Sequence, residues 1–130
     1  MEKTNTTKKI LIIDDEKYIL LVTKYNLKNA GYDVLIANNG EEGIKIAQTE
    51  LPDLILLDLM MPLVDGFQVI RTLRADESTK SIPIIILTAR GSVEDKNKVY
   101  EYGANDYLLK PFSVQQLLEK IKSFFNQNNK

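Results

Sequence analysis

Five short apolar runs, evenly spaced along a chain of 130 residues, constrain the fold more than any other feature. Each run has the length and composition of a β-strand. The stretches between them have helical periodicity. The pattern predicts a doubly wound α/β fold, flavodoxin-like, with a five-stranded parallel sheet of order 2-1-3-4-5 and helices on both faces. The predicted strands are residues 8–14, 32–37, 53–58, 83–88 and 106–110.

Start signals precede four of the helical stretches. Each pairs a capping side chain with a residue three positions later that can reach back. These pairs are Asn39 with Glu42, Asp65 with Gln68, Ser92 with Asp95, and Ser113 with Gln116. Gly31 and Gly103 are predicted to end the first and fourth helices. The sequence contains no linker or repeat, so we predict that residues 1–130 form a single domain. Residues 1–7 are predicted to be a disordered polar tail, and residues 127–130 a polar end.

Composition excludes several classes of function. Hydrophobic residues make up 44% of the chain, which is enough for a core without disulfides or structural metal. Cysteine and histidine are absent, so thiolate and imidazole chemistry is excluded, and a reducing cytosol suits the chain. The net charge of -1 offers no basic field for nucleic acid. No apolar run is long enough for a membrane span or a signal peptide, so we expect a cytoplasmic protein.

Asp58 raises the central question, because it ends the run LPDLILLD in the middle of the predicted sheet. An unbroken apolar run between prolines predicts a strand that is covered on both faces. An ionised carboxylate at such a place costs several kcal/mol, as buried charges usually do, unless a cation, hydrogen-bond donors or partial solvent access offset it. We therefore expect other groups in the chain to compensate the charge.

Candidate partners for Asp58 come from the ends of the other strands. Asp14 and Asp15 end the first strand, Thr88 the fourth and Lys110 the fifth. The strand order predicts that Asp14, Asp15 and Asp58 converge where the topology reverses. Clustered carboxylates repel one another, and a hard divalent cation would relieve that repulsion. All-oxygen ligands favour Mg²⁺ or Mn²⁺ over zinc.

Magnesium usually shares its coordination shell with a phosphoryl group, so the site indicates phosphoryl chemistry. Asp58 is the predicted nucleophile, which would form an acyl phosphate. Lys110 would balance phosphoryl charge and Thr88 would donate a hydrogen bond. Each residue taken alone also has a plain structural explanation, as a helix cap, a turn or a solvated charge. Their convergence at one edge of the sheet favours the functional interpretation.

Four motifs resemble the receiver domain of bacterial two-component response regulators. They are IIDDE at 12–16, LLDLMMPLVDG at 56–66, ILTA at 86–89 and DYLLKPF at 106–112, and the resemblance extends from Lys8 to Phe125. It implies that Asp14 and Asp15 are the acidic metal pair and that Asp58 is the phosphorylation site. Thr88 and Lys110 match the hydroxyl and the lysine that contact the phosphoryl group. The main-chain carbonyl of Met60 is implied as a further metal ligand.

The resemblance also implies roles around this site. Thr88 and Tyr107 correspond to the switch residues, and Pro111 to a proline that usually follows a cis bond. Met60 and Arg90 flank the path of the water that hydrolyses the aspartyl phosphate. A methionine is a weak hydrogen-bond acceptor and an arginine has no acceptor at all, so slow self-hydrolysis is expected.

The phosphoryl donor must be external, because the chain lacks nucleotide-binding motifs and histidine. The resemblance implies a histidine kinase or a histidine phosphotransfer protein. Tyr18 and Leu21, in the apolar stripe of the first helix, are expected to dock this donor. An effector is expected on residues 92–102, the strand at 106–110 and the helix after Ser113, with the chain a monomer or a phosphorylation-induced dimer.

Two alternatives stay open. An aspartyl-nucleophile phosphatase would place its nucleophile on the first strand with an acid two residues later. A flavodoxin-like cofactor carrier would need a phosphate-binding loop after that strand, where this chain has Asp-Asp-Glu. The sequence therefore favours a phosphoacceptor over a turnover enzyme. The few residues after the last helix leave no room for a DNA-binding module, so we expect a stand-alone receiver or a piece of a longer regulator.

Overall fold

A computed structural model describes residues 7–61, 65–89 and 91–127, with the side chains through Asn126. Its strands are β1 (Lys9–Ile13), β2 (Asp33–Ala37), β3 (Leu54–Asp58), β4 (Ile84–Thr88) and β5 (Asp106–Leu109). Its helices are α1 (Lys17–Asn29), α2 (Gly40–Glu50), α3 (Gly66–Ala75), α4 (Val93–Tyr102) and α5 (Val114–Gln127). Within these described residues, no helix is long and apolar enough to cross a membrane.

The five strands form one parallel sheet in the order β2-β1-β3-β4-β5, which confirms the predicted fold. All five residues of β3 are buried. Its four apolar residues belong alternately to two different core clusters. One cluster packs the sheet against α2, α3 and α4, and the other packs it against α1 and α5. The uninterrupted apolar run of β3 is therefore covered on both faces.

The predicted helix caps are present, with differences in detail. Ser113 and Gln116 exchange both hydrogen bonds of the capping box. Asn39 accepts from the Glu42 N–H, but the Glu42 carboxylate reaches the N–H of Asn38 instead of Asn39. The remaining two caps also form: Ser92 accepts from the Asp95 N–H, and Asp65 accepts from the Phe67 N–H.

Arg74 of α3 joins chain segments at the amino ends of the strands, opposite the acidic residues. Its guanidinium donates to the carbonyl oxygens of Gly103, Lys80 and Ile82 and to Oδ1 of Asn105, at 2.7 to 3.1 Å. Burial lowers the pKa of this guanidinium. Gly103, at a φ of 116°, ends α4 against the Arg74 side chain. The end of α4 is therefore joined to α3.

Candidate functional site

Three carboxylates meet at the carboxyl edge of the sheet. Asp58 is the last residue of β3, whereas Asp14 and Asp15 lie one and two positions beyond the last residue of β1. Because β1 and β3 are neighbours, the three side chains converge, and one oxygen from each lies within 4.8 Å of the others. Asp14 and Asp58 are buried, and Asp15 is exposed.

Asp14 is a buried carboxylate with a shifted pKa. Its Oδ1 accepts the Glu16 N–H at 2.9 Å, while its buried Oδ2 has no hydrogen bond within the described ranges. Burial, together with the neighbouring charge of Asp58, raises the pKa of Asp14 to about 6, against a usual value of 3.8. A buried carboxylate oxygen without a donor, beside two further carboxylates, fits a hard divalent cation.

Lys110 brings a cation to this cluster. Its Nζ lies 3.5 Å from Asp58 Oδ2 and 3.8 Å from Asp14 Oδ2. The Lys110 N–H donates to the carbonyl oxygen of Thr88 at 2.8 Å, which aligns the loop after β5 with the end of β4. The Lys110–Pro111 peptide bond is cis, the isomer that the resemblance implied.

Thr88 and Met60 complete the surroundings of Asp58. Thr88 is the buried last residue of β4, whose preceding residue Leu87 pairs with Asp58 in the sheet. The Met60 N–H donates to Asp58 Oδ1 at 3.1 Å, whereas the Met60 side chain is 56% exposed. Arg90 lies outside the described residues, so its predicted place beside the site is not assessed.

A cavity of about 300 Å³ opens over these groups, lined by Asp15, Glu16, Asp58, Met60, Ala89 and Lys110. Glu16 and Ala89 were not predicted as site residues. Each directly follows a predicted site residue, in the motifs IIDDE and ILTA, so this neighbouring position in the sequence could have identified them. The cavity has space for a small anion beside Asp58, with an ammonium group on its wall.

Tyr107 is a residue of β5 that does not line the cavity, and its ring lies beside α4. Its ring is partly buried against the core cluster of α2, α3 and α4. The Tyr100 ring centroid is 5.9 Å away, and Lys96 Nζ lies 5.0 Å from the ring centroid. Ile86, which pairs with Tyr107, belongs to the same cluster, and Thr88 follows Ile86 by two residues. The side chains of Thr88 and Tyr107 therefore face the same side of the sheet.

An apolar groove of about 520 Å³ runs between α1 and α5. Glu16, Ala89 and Lys110 line both this groove and the acidic cavity, so the two openings adjoin. Tyr18 and Leu21 are exposed on α1 but do not line the groove. Its α1 wall is formed by Ile19, Val22, Thr23, Asn26 and Leu27. The sequence predicted α1 as an exposed apolar surface and did not predict the groove.

These features define a flavodoxin-like α/β domain with a candidate metal and phosphoryl site at the carboxyl edge of its sheet. Residues 10–122 match the response regulator receiver domain. The chain therefore belongs to the response regulator receiver family, as the motifs indicated. Its fold and site are consistent with two-component phosphorylation signalling.

The relatives of this chain are regulators of about twice its length. It is 45% identical over 122 residues to the DNA-binding dual master transcriptional regulator RpaA of Synechocystis, with 94% of this chain and 51% of the relative covered. It is 44% identical over 121 residues to the alkaline phosphatase synthesis transcriptional regulatory protein PhoP of Bacillus subtilis, with 93% and 50% covered. The chain thus spans about half the length of these relatives.

Solved structures of the same fold agree over nearly the whole chain. The chemotaxis response regulator CheY4 of Vibrio cholerae superposes with a TM-score of 0.86 at 34% identity, covering 91% of this chain and 98% of CheY4. The receiver domain of the Francisella response regulator 1452 superposes with a TM-score of 0.86 at 32% identity, covering 95% and 100%. The chain therefore has the same fold as these two response regulator structures.

Proposed function

We propose that this chain is a phosphorylation-dependent signalling switch that accepts a phosphoryl group on Asp58 from a histidine kinase or a histidine phosphotransfer protein. The observation that carries the proposal is the convergence of three carboxylates and one lysine at the carboxyl edge of the sheet, where Asp15, Asp58 and Lys110 line one cavity. In family members this edge is where phosphorylation takes place, so the geometry and the family assignment support the same reaction.

The transfer uses groups that surround Asp58. A carboxylate oxygen of Asp58 attacks the phosphorus of the donor, forming an O–P bond as the N–P bond of the donor phosphohistidine breaks. The electron pair of that bond returns to the imidazole nitrogen. The Met60 N–H orients the Asp58 carboxylate through Oδ1, and the Lys110 ammonium, 3.5 Å from Oδ2, balances charge on the phosphoryl oxygens. The Thr88 hydroxyl donates to one of these oxygens.

The proposed cofactor is Mg²⁺, with Mn²⁺ as a second candidate. Asp14, Asp15, Asp58 and the main-chain carbonyl of Met60 would hold it. The buried Asp14 Oδ2, which has no hydrogen bond within the described residues, supports this assignment. A bound divalent cation supplies positive charge that neutralises the carboxylates and the incoming phosphoryl group.

The test is phosphorylation of the chain by acetyl phosphate, read as the gain of one phosphoryl group in the intact mass. We expect the gain with Mg²⁺, little with EDTA, and none in Asp58→Asn. Asp53→Asn is the matched control, because Asp53 immediately precedes the same strand at its other end and accepts the Lys9 N–H. An unchanged yield in Asp58→Asn would contradict the proposal. Sustained hydrolysis of phosphate esters would favour the phosphatase, and a bound yellow cofactor the flavodoxin-like carrier.

The proposed output is a rearrangement of α4, β5 and α5. Exposed apolar side chains lie on all three elements, namely Val93, Tyr100, Leu109 and Val114. Asp106 connects them, because its carboxylate accepts from the Tyr100 hydroxyl at 3.4 Å and pairs with Lys120 at 3.2 Å. An effector or a second copy of the chain would bind this face after phosphorylation.

Movement of Thr88 toward the phosphoryl oxygens would leave space for the Tyr107 ring to turn inward, since both face the same side of the sheet. A phosphoryl group thereby stabilises one of two arrangements of the face. The experiment compares structures with and without a beryllofluoride mimic on Asp58. Unchanged positions of Thr88 and Tyr107 would contradict this coupling.

The proposed docking site for the phosphodonor is α1 with the adjoining groove. Tyr18 is 76% exposed and Leu21 is 50% exposed, which leaves them available for contact. The groove between α1 and α5 leads to Lys110, so a donor helix seated there would bring its phosphohistidine close to Asp58. Docking and chemistry would then use neighbouring surfaces.

Slow loss of the phosphoryl group is also part of the proposal. Met60 lines the cavity over Asp58, and its thioether is a weak hydrogen-bond acceptor. Hydrolysis needs a water that is held in line with the phosphorus, and a thioether orients water poorly. The domain, which would assist its own phosphorylation, would therefore lose the phosphoryl group from Asp58 slowly.

A further inference from the structure

Met60 combines three properties in one residue. The residue is 56% exposed, it lines the cavity that Asp58 and Lys110 also line, and its N–H donates a hydrogen bond to Asp58 Oδ1. The next residue, Met61, is 8% exposed and belongs to the hydrophobic core. Two adjacent thioethers therefore differ sharply in their access to solvent, and the accessible one lies at the phosphorylation site.

Solvent access controls the chemistry that distinguishes these two residues. A peroxide transfers one oxygen atom to an accessible thioether: the peroxide O–O bond breaks, an S–O bond forms, and water or an alcohol leaves. The sulfur is oxidised and the peroxide is reduced. The product, methionine sulfoxide, is neutral but strongly polar, and its oxygen is a good hydrogen-bond acceptor where the thioether was a poor one.

We propose that Met60 is an oxidation site, and that its conversion to the sulfoxide by a peroxide shortens the lifetime of the phosphoryl group on Asp58. This inference rests on the function proposed above. The hydrogen bond between the Met60 N–H and the Asp58 carboxylate keeps the backbone of the modified residue next to the acyl phosphate. The sulfoxide oxygen is then placed at the wall of the same cavity, where it accepts a hydrogen bond from the attacking water.

The expected effect is moderate. Orienting the water removes part of the entropic cost of hydrolysis, but a sulfoxide is too weak a base to take the proton from the water. We expect the phosphorylated lifetime to fall by a factor of about three to ten, well below the factor of about 10² to 10⁴ that a positioned general base contributes. Because the modification carries no charge, it leaves the balance of carboxylates and lysine unchanged.

The experiment treats the full chain with hydrogen peroxide and follows each methionine by peptide mass. We expect Met60 to be oxidised before Met61. Oxidised and untreated chains are then phosphorylated with acetyl phosphate and Mg²⁺, and the loss of the phosphoryl group is followed by intact mass after the reagent is removed. Repair with methionine sulfoxide reductases should restore the original lifetime.

Two variants make the test specific. Met60→Leu cannot be oxidised at this position, so its lifetime should be insensitive to peroxide. Met60→Gln carries a permanent oxygen acceptor on a side chain of similar length, so it should shorten the lifetime without peroxide. A peroxide effect in Met60→Leu equal to that in the unmodified chain would overturn the proposal, as would selective oxidation of Met60 with no change in lifetime. Failure of the unoxidised chain to become phosphorylated would instead refute the function proposed for Asp58.

Discussion

The buried carboxylate of Asp14 should destabilise the metal-free protein, and replacing it by asparagine should reveal the cost. The folded protein raises the pKa of Asp14 from its usual 3.8 to about 6, because the side chain is buried and lies beside Asp58. For an acid, this direction means that the folded state holds the proton more tightly than the unfolded chain does. The cost is therefore fully present above about pH 6 and is lost as the pH falls from about 6 to 3.8.

The size of the effect follows from the same values. At about 1.4 kcal/mol for each pKa unit, ionised Asp14 lowers the free energy of unfolding by up to about 3 kcal/mol at pH 8 and by about 1 kcal/mol at pH 4.5. Asparagine keeps an oxygen that can accept the Glu16 N–H, and it loses the attraction to Lys110 Nζ, 3.8 Å away. The pKa shift already includes this attraction, which lowers the pKa, so about 3 kcal/mol is the net gain expected for Asp14→Asn at pH 8.

Urea unfolding in EDTA, at pH 8 and at pH 4.5, measures these differences. Asp14→Asn should be more stable than the unmodified chain at pH 8, and the difference should shrink at pH 4.5. Asp15→Asn is the matched control: Asp15 is exposed, so the change without metal should be within about 0.5 kcal/mol. Saturating Mg²⁺ should stabilise the unmodified chain and have little effect on Asp14→Asn. A less stable Asp14→Asn at pH 8, or an equal difference at both pH values, would refute the reasoning.

Three further predictions concern docking, hydrolysis and the end of α4. Leu21→Ala should slow transfer from a cognate histidine kinase and leave phosphorylation by acetyl phosphate unchanged. The exposed Val93 of α4 is the control position. Equal losses with both donors would count against docking. Met60→Asn should shorten the phosphorylated lifetime in an intact-mass time course, and a lifetime equal to that of the unmodified chain would argue against the role of acceptors. Gly103→Ala should lower the free energy of unfolding in urea by about 2 to 4 kcal/mol, and Gly31→Ala by about 1 kcal/mol. Both glycines have a positive φ, but only at Gly103 would the added Cβ contact Arg74, at 2.9 Å from its Cγ. Similar losses in the two glycine variants would contradict the role of Arg74.

Much of the site could be predicted because its residues follow strand ends. Once five strands and their order are known, Asp14, Asp58 and Lys110 must lie at one edge of the sheet, whatever their rotamers are. The strand limits were less accurate: Asp14 and Lys110 lie one position beyond their strands, in the loops. A polar residue after an apolar run marks the edge of a strand but does not show whether the last ladder bond forms.

The features that the sequence did not predict depend on long side chains that cross between elements. Arg74 is one of 17 basic residues and has no local signature, yet its guanidinium bonds to groups 6 to 31 residues away. Similarly, the groove between α1 and α5 depends on how two helices distant in sequence pack on one sheet face. Hydrophobic periodicity predicts that a helix has an apolar side, but not how much of that side its neighbours leave uncovered.

The contacts at the carboxyl end of α4 fit the proposed switch. At the carboxyl end, Arg74 bonds to Gly103, and Lys98 Nζ lies 4.4 Å from the centroid of the Phe67 ring in α3. At the amino end, Ser92 caps the helix and Val93 is 72% exposed, four and five residues after Thr88. We expect a displacement of Thr88 toward a phosphoryl group to act on the amino end of α4, which is close to Thr88 in sequence. The helix would pivot about its clamped end, and the exposed apolar residues of its first turn would move relative to β5.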